Sequence, residues 1–190
     1  NVATIRLWSG TVVPQIKQDN AYAQCGLGLC YSNGHHGVEQ NYELAVEWYR
    51  RAADQNNADA QYNLGACYSN GHGVEQSYET AVKWYRRAAD QGDGVAQNNL
   101  GECFYYGDGI EQSYEVAVEW YRRAADQDNA DAQCNLGECY EKGCGVEQSY
   151  ETAVEWYRLA ADQGHAKSTM QSRRLLRKGL RCRTKLRNCC

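Results

Sequence analysis

Residues 58–93 read ADAQYNLGACYSNGHGVEQSYETAVKWYRRAADQGD, and the pattern of this stretch recurs along the chain. Trp48, Trp84, Trp120 and Trp156 stand 36 residues apart, each opening a Trp-Tyr-Arg triplet that runs on into Ala-Ala-Asp-Gln. Gln61, Gln97 and Gln133 keep the same step, while Gln24 lies 37 before Gln61 because the first loop holds His35-His36 where the second holds only His72. A fixed period of this length marks a repeat architecture. Four units follow, 21–57, 58–93, 94–129 and 130–165, flanked by 1–20 and by 166–190.

Each unit reads as two helices. In the second, helix A is expected from Ala58 to about Ser69, and Asn70-Gly71-His72-Gly73 is a glycine-rich turn that stops it. Ser77 is placed as N-cap of helix B, with Glu79 in the favourable first turn. Helix B runs from Tyr78 to about Asp90. On a helical wheel the positions that repeat from unit to unit (Ala60, Gln61, Leu64, Gly65, Cys67 and Tyr68 in the second) share one arc of helix A. Those that change, Tyr62, Ala66, Ser69 and Asn70, share the opposite arc. The first arc is read as packing and the second as facing solvent or a ligand.

The expected core is therefore Leu64, Gly65, Tyr68, Trp84 and Tyr85, then Leu100, Gly101, Trp120 and Tyr121, then Leu136, Gly137 and Trp156. Gly65, Gly101 and Gly137 are expected to let helices approach closely enough to seat the Trp and Tyr rings. Trp120→Ala is expected to cost about 3–5 kcal/mol on that basis. Tyr78 joins the apolar arc of helix B, and Glu47–Arg51 and Glu119–Arg123 are expected ion pairs on its outer face. One hairpin cannot bury its own apolar face, so stacking must supply the core.

The unit Ala-Gln-x-x-Leu-Gly-x-Cys-Tyr-x-x-Gly-x-Gly-Val, followed by Tyr-Glu-x-Ala-Val-x-Trp-Tyr-Arg-x-Ala-Ala-Asp-Gln, resembles the Sel1-like repeat, a relative of the tetratricopeptide repeat. The resemblance covers 21–165. It implies an all-α fold, a right-handed α/α superhelical solenoid of helix–turn–helix repeats with helix A lining the concave side. It also implies scaffold or adaptor work: binding another protein or peptide, with no cofactor and no shared catalytic residues. On that footing the candidate partner-binding residues are Tyr62, Ala66, Ser69, Asn98, Glu102, Tyr105, Tyr106, Glu138 and Glu141. The three glutamates make the expected partner a basic one, and the tyrosines offer rigid contact area. No His, Ser or Cys accompanies those glutamates at a spacing that acid–base or nucleophilic chemistry needs, so no enzyme is expected. A spacer segment of a longer repeat protein, with no binding site of its own, is the alternative.

Residues 1–163 carry 24 acidic and 11 basic side chains, a formal −13, and 164–190 carry nine basic and no acidic ones. The repeat body is thus no nucleic-acid surface. The tail is another matter. Ala166 keeps the register of Ala130, so 166–178 reads as a degenerate cap. Leu176 and Leu180 share a face with Arg173, Arg177 and Arg181 on another, a basic amphipathic pattern that suits anionic lipid or RNA. The abrupt change of composition also fits a shifted reading frame. At the other end, Pro14 to Gln18 stands where a preceding helix B would, so the solenoid is expected to continue upstream. No apolar run is long enough to span a membrane.

Cys30, Cys67, Cys103 and Cys139 repeat at one position of the packing arc and are read as buried thiols. Cys25/Cys30 and Cys134/Cys139, five apart on a helix, lie about 8 Å from each other and point apart, too far to bridge. Some cysteine-rich bacterial members of the family staple each repeat from late helix B to early helix A. The late positions here are Ala89, Asp90, Ala125 and Asp126, so that pattern is absent and a reducing, cytoplasmic setting is expected. The loop residues His35, His36, His72, Asp108 and Cys144, one repeat apart and so about 10 Å from each other, are too dispersed to share a zinc.

Overall fold

The computed structural model describes residues 20–35, 37–164 and 170–171. The expectations for the N-terminal stretch, for His36 and for the basic tail beyond Gln171 lie outside them. Among the described residues there are eight helices and no strand: α1 Ala21–Asn33, α2 Tyr42–Asp54, α3 Ala58–Asn70, α4 Tyr78–Asp90, α5 Gly94–Tyr106, α6 Tyr114–Ala125, α7 Ala130–Lys142 and α8 Tyr150–Asp162. Odd-numbered helices are the A helices of the four repeats and even-numbered ones the B helices, a helical solenoid. The chain divides into two compact units, 1–96 with 108–110, and 97–107 with 111–190. In the first, α1 packs on α2, α2 on α3 and α3 on α4; in the second, α6 packs on α7 and α7 on α8.

Local chemistry explains the hairpins. Helix A ends on a left-handed glycine whose N–H returns to a cysteine carbonyl: Gly34 to Cys30, Gly71 to Cys67, Gly143 to Cys139. Helix B begins at an Asn or Ser whose side chain accepts a backbone N–H one turn on, as Ser77 does from Thr80. Between them a glutamine ties the turn. Gln76 Nε2 donates to the Ser69 carbonyl at 2.7 Å and to the Tyr78 hydroxyl at 3.1 Å, and Gln148 does the same with Glu141 and Tyr150. This bond holds Tyr78 at the outer edge, exposed rather than in the apolar arc.

The core belongs to the tyrosines of the Trp-Tyr-Arg triplets. Tyr49, Tyr85, Tyr121 and Tyr157 are buried, as are Leu64, Leu100 and Leu136. Each of these tyrosine rings lies against the glycine of its own helix A. A Cβ added to Gly65 would come within 2.7 Å of the Tyr85 ring, one on Gly101 within 2.7 Å of Tyr121, and one on Gly137 within 2.8 Å of Tyr157. The glycine therefore seats the tyrosine, not the tryptophan. Successive helix residues point about 100° apart, so only one of the Trp-Tyr pair can face its own helix A. Trp84, Trp120 and Trp156 are only half-buried, contrary to their assignment to the core. Arg87 and Arg123 lie over the Trp84 and Trp120 rings at 4.6 and 4.4 Å. Arg51 covers Trp48 likewise, so Arg51 and Arg123 stack on tryptophan where ion pairs to Glu47 and Glu119 were expected. Tyr68 is half-buried too, its hydroxyl reaching Arg50 Nη2 of the preceding repeat at 2.9 Å.

Polar ties complete the repeat. Gln24, Gln61, Gln97 and Gln133 are buried, and each accepts a hydrogen bond from the glutamine that ends its helix B: Gln55, Gln91, Gln127 and Gln163, at 2.6 to 2.9 Å. Gln61 Nε2 donates back to the Ala53 carbonyl at 3.2 Å, and Gln133 to that of Ala125 at 3.4 Å, joining the second repeat to the first and the fourth to the third. Among the described residues no buried side-chain nitrogen or oxygen lacks a partner. Replacing Gln133 by Leu removes both bonds and should lower stability by about 1–3 kcal/mol in urea unfolding; an unchanged midpoint would deny the ladder a role. At the far end, Met170 and Gln171 are helical, and Gln171 accepts from Cys134 Sγ at 3.6 Å, in the register place of Asn135.

Candidate functional site

In the first unit the changing faces of α1 and α3 enclose a groove of about 380 Å³. Tyr22, Cys25, Gly26 and Leu29 form one wall, Asp59, Tyr62 and Asn63 the other, and Asp93 and Val95 close one end. Tyr22, Leu29 and Val95 remain 77%, 42% and 45% exposed, an apolar surface with two carboxylates at its rim. Tyr62 is half-buried, its ring 6.0 Å from that of Tyr85. Ala66 and Ser69 are half-buried on the same helix.

In the second unit the same face of the A helices is acidic and aromatic. Glu102 is half-buried and accepts from Asn98 and Asn135 at 3.2 and 3.1 Å. Asn98 was expected on the open face. It is buried instead, because its carbonyl oxygen takes a 3.0 Å bond from Asn135 of the next repeat and the side chain lies in the seam. Tyr105 packs edge-on to Tyr106 and Tyr114. Burial, partly offset by Lys142, pushes its hydroxyl up to about 12. Glu138 pairs with Lys142, and Glu141 accepts from the Tyr157 hydroxyl at 3.0 Å. The three glutamates are thus each engaged within the protein.

Sequence reasoning missed Tyr22, Leu29, Asp59, Asp93 and Val95. A signal was present: the second position of helix A holds Tyr22, Asp59, Val95 and Asp131 in turn, as variable as any on the face. Asn135 and Lys142 were missed as well, since Asn98 and Tyr105 reach them only across the seam between repeats.

Cys25, Cys67, Cys103, Cys134 and Cys139 are buried, Cys30 and Cys144 are half-buried, and no disulfide joins the described cysteines. Burial pushes Cys25 and Cys67 up to about 11 and Cys139 to about 12, which keeps them protonated at neutral pH. His72 stacks on Tyr42, ring centroids 4.5 Å apart. Among the described residues no three His, Cys, Asp or Glu side chains are grouped to hold a metal ion, and no helix is long and apolar enough to cross a membrane.

The family model described as the Sel1 repeat matches residues 21–57, 58–93, 94–129 and 130–165. The chain belongs to the Sel1 repeat family. Among solved structures it is similar to a protective antigen of uropathogenic Escherichia coli strains that displays the SLR fold, at 37% identity and a TM-score of 0.79, over 88% of this chain and 34% of the antigen. The chain thus spans about a third of that relative's length. A Sel1 repeat protein from Oxalobacter formigenes is 34% identical over 90% of this chain and 71% of its own, with a TM-score of 0.79. Helicobacter pylori cysteine rich protein B shares the fold at 19% identity and a TM-score of 0.54, over 70% of this chain and 95% of its own. No curated protein matches the chain. Sel1 repeat proteins generally act as scaffolds for protein–protein interaction and are typically not enzymes.

Proposed function

We propose that this Sel1 repeat chain is a protein-binding scaffold that takes a partner peptide on the changing faces of its A helices. The groove between α1 and α3 carries the reading. It is open, lined by Tyr22, Leu29, Tyr62 and Val95, and flanked by Asp59 and Asp93. Exposed aromatic and aliphatic side chains around a concavity are where hot spots form, and carboxylates at the rim favour a partner with Lys or Arg beside its apolar anchor.

Random peptides selected on the full chain should be rich in aliphatic residues next to Lys or Arg. A selected peptide, followed by fluorescence anisotropy, should lose about 10-fold or more in affinity for a Leu29→Asp/Val95→Asp variant. The two side chains are 42% and 45% exposed, so helix content should be kept and melting should fall only slightly. Equal affinity for the groove variant and the native chain would favour a spacer segment instead.

A further inference from the structure

Tyr105 and Tyr106 close α5 with their rings 5.0 Å apart and inclined at 76°, and Tyr106 is 65% exposed. Over the Tyr105 ring of this pair the protein places a cation of its own. Lys142, the last residue of α7, has its Nζ 5.8 Å from the centroid of the Tyr105 ring and 3.3 Å from the Tyr105 hydroxyl. The same ammonium bonds the Glu138 carboxylate. An aromatic face, a hydroxyl oxygen and a carboxylate are what an alkylammonium needs once it leaves water. At this position of helix A the earlier repeats carry Asn33, Asn70 and Tyr106, so the ammonium is peculiar to the fourth.

The Lys142 side chain is 50% exposed and its partner Glu138 lies four residues back on the same helix. Such a pair is weak and salt-sensitive. The hollow lined by Tyr105, Tyr106, Tyr121, Asn135 and Glu138 measures only about 10 Å³, so a second ammonium has to take the Tyr105 hydroxyl and the Glu138 carboxylate from Lys142, which then turns out to solvent. That exchange replaces one cation by another and leaves no carboxylate uncompensated.

We propose that Tyr105, Tyr106 and Glu138 form a receptor for a lysine side chain of the partner, with Lys142 as the internal occupant that the ligand displaces. The proposal rests on the reading that the partner lies on the A helices, and it adds what the second unit recognises. An internal competitor lowers the apparent affinity by the fraction of sites it fills. Removing it therefore strengthens binding, whereas loss of a merely structural ion pair does not.

The probe is a labelled peptide, Gly-Ser-Leu-Lys-Leu-Ser-Gly, compared with its norleucine counterpart on the full chain at low salt. Lys142→Met is expected to bind the lysine peptide about 3- to 10-fold tighter than the native chain. In that background Tyr106→Ala and Glu138→Gln should each weaken it about 3- to 5-fold, and no change should move the norleucine peptide. The proposal is overturned if Lys142→Met binds no better than the native chain, or if the norleucine peptide binds as well as the lysine one. A lysine peptide lost on Leu29→Asp/Val95→Asp but indifferent to Lys142, Tyr106 and Glu138 would sink the lysine receptor and leave the groove reading standing. Absence of binding to every variant would sink it too, and the groove reading would then be judged on its own selected peptides.

Discussion

Tyr121→Ala is expected to unfold at markedly lower urea than Trp120→Ala, although tryptophan is the larger residue and the two are neighbours. Tyr121 is almost wholly buried, and its ring fills the place where a side chain on Gly101 would lie. Removing the ring opens a cavity against backbone that cannot collapse, since both helices are held by their caps and by the glutamine ties. That loss falls in the range of about 3–5 kcal/mol for a large aromatic truncated in a core. Trp120 is half-buried and covered on one side by Arg123. Its truncation forfeits part of a transfer term and one cation–π contact, about 1–2 kcal/mol together. Circular dichroism in a urea series on both variants decides it. The reverse order would mean that the tryptophans, not the tyrosines, hold the repeats.

The same pair shows how far the sequence could be read. Period, hairpin and turn were legible because each rests on local chemistry repeated four times: a cap residue, a glycine, an apolar arc. Trp84 and Tyr85 stand next to each other with equal regularity in every repeat, and periodicity alone cannot say which one faces the glycine. That depends on how α3 and α4 are rotated, a tertiary fact. Asn98 was misplaced for a related reason. On an isolated helix it belongs to the outer arc, but a solenoid covers one edge of that arc with the following repeat, and Asn135 claims the side chain. Gln61 was read as packing without a partner in view, because Gln91 lies 30 residues further on. The groove escaped notice because variability marks Leu29 and Val95 as lying on the changing face but does not say that Tyr22, Leu29 and Val95 come together around one concavity.

Gly145→Ala is expected to be far more damaging than Gly37→Ala, though the two glycines occupy equivalent places in their loops. Both have left-handed backbone, φ +70 and +82, so alanine is strained at either by about 1–2 kcal/mol. At Gly37 an added Cβ meets no atom of the described residues within 4 Å. At Gly145 it would lie 2.3 Å from the Tyr114 carbonyl oxygen and 2.7 Å from the Glu115 amide nitrogen, the first turn of the preceding helix B. Backbone at a capped helix start cannot rotate aside as a side chain would, so the seam between the third and fourth repeats must open. Overpacking of that kind adds about 1–3 kcal/mol, and the total for Gly145→Ala comes to about 2–5 kcal/mol. The second glycine of Gly-x-Gly is therefore a contact between repeats as well as a turn residue. A Cβ added to Gly73 would meet the Tyr42 carbonyl in the same way, inside the unit that holds the groove. Gly73→Ala should accordingly weaken a groove-binding peptide without touching any residue that lines the groove, because the seam sets the spacing of α1 and α3. Equal melting of the Gly37 and Gly145 variants would show that the turn, not the seam, is what these glycines serve.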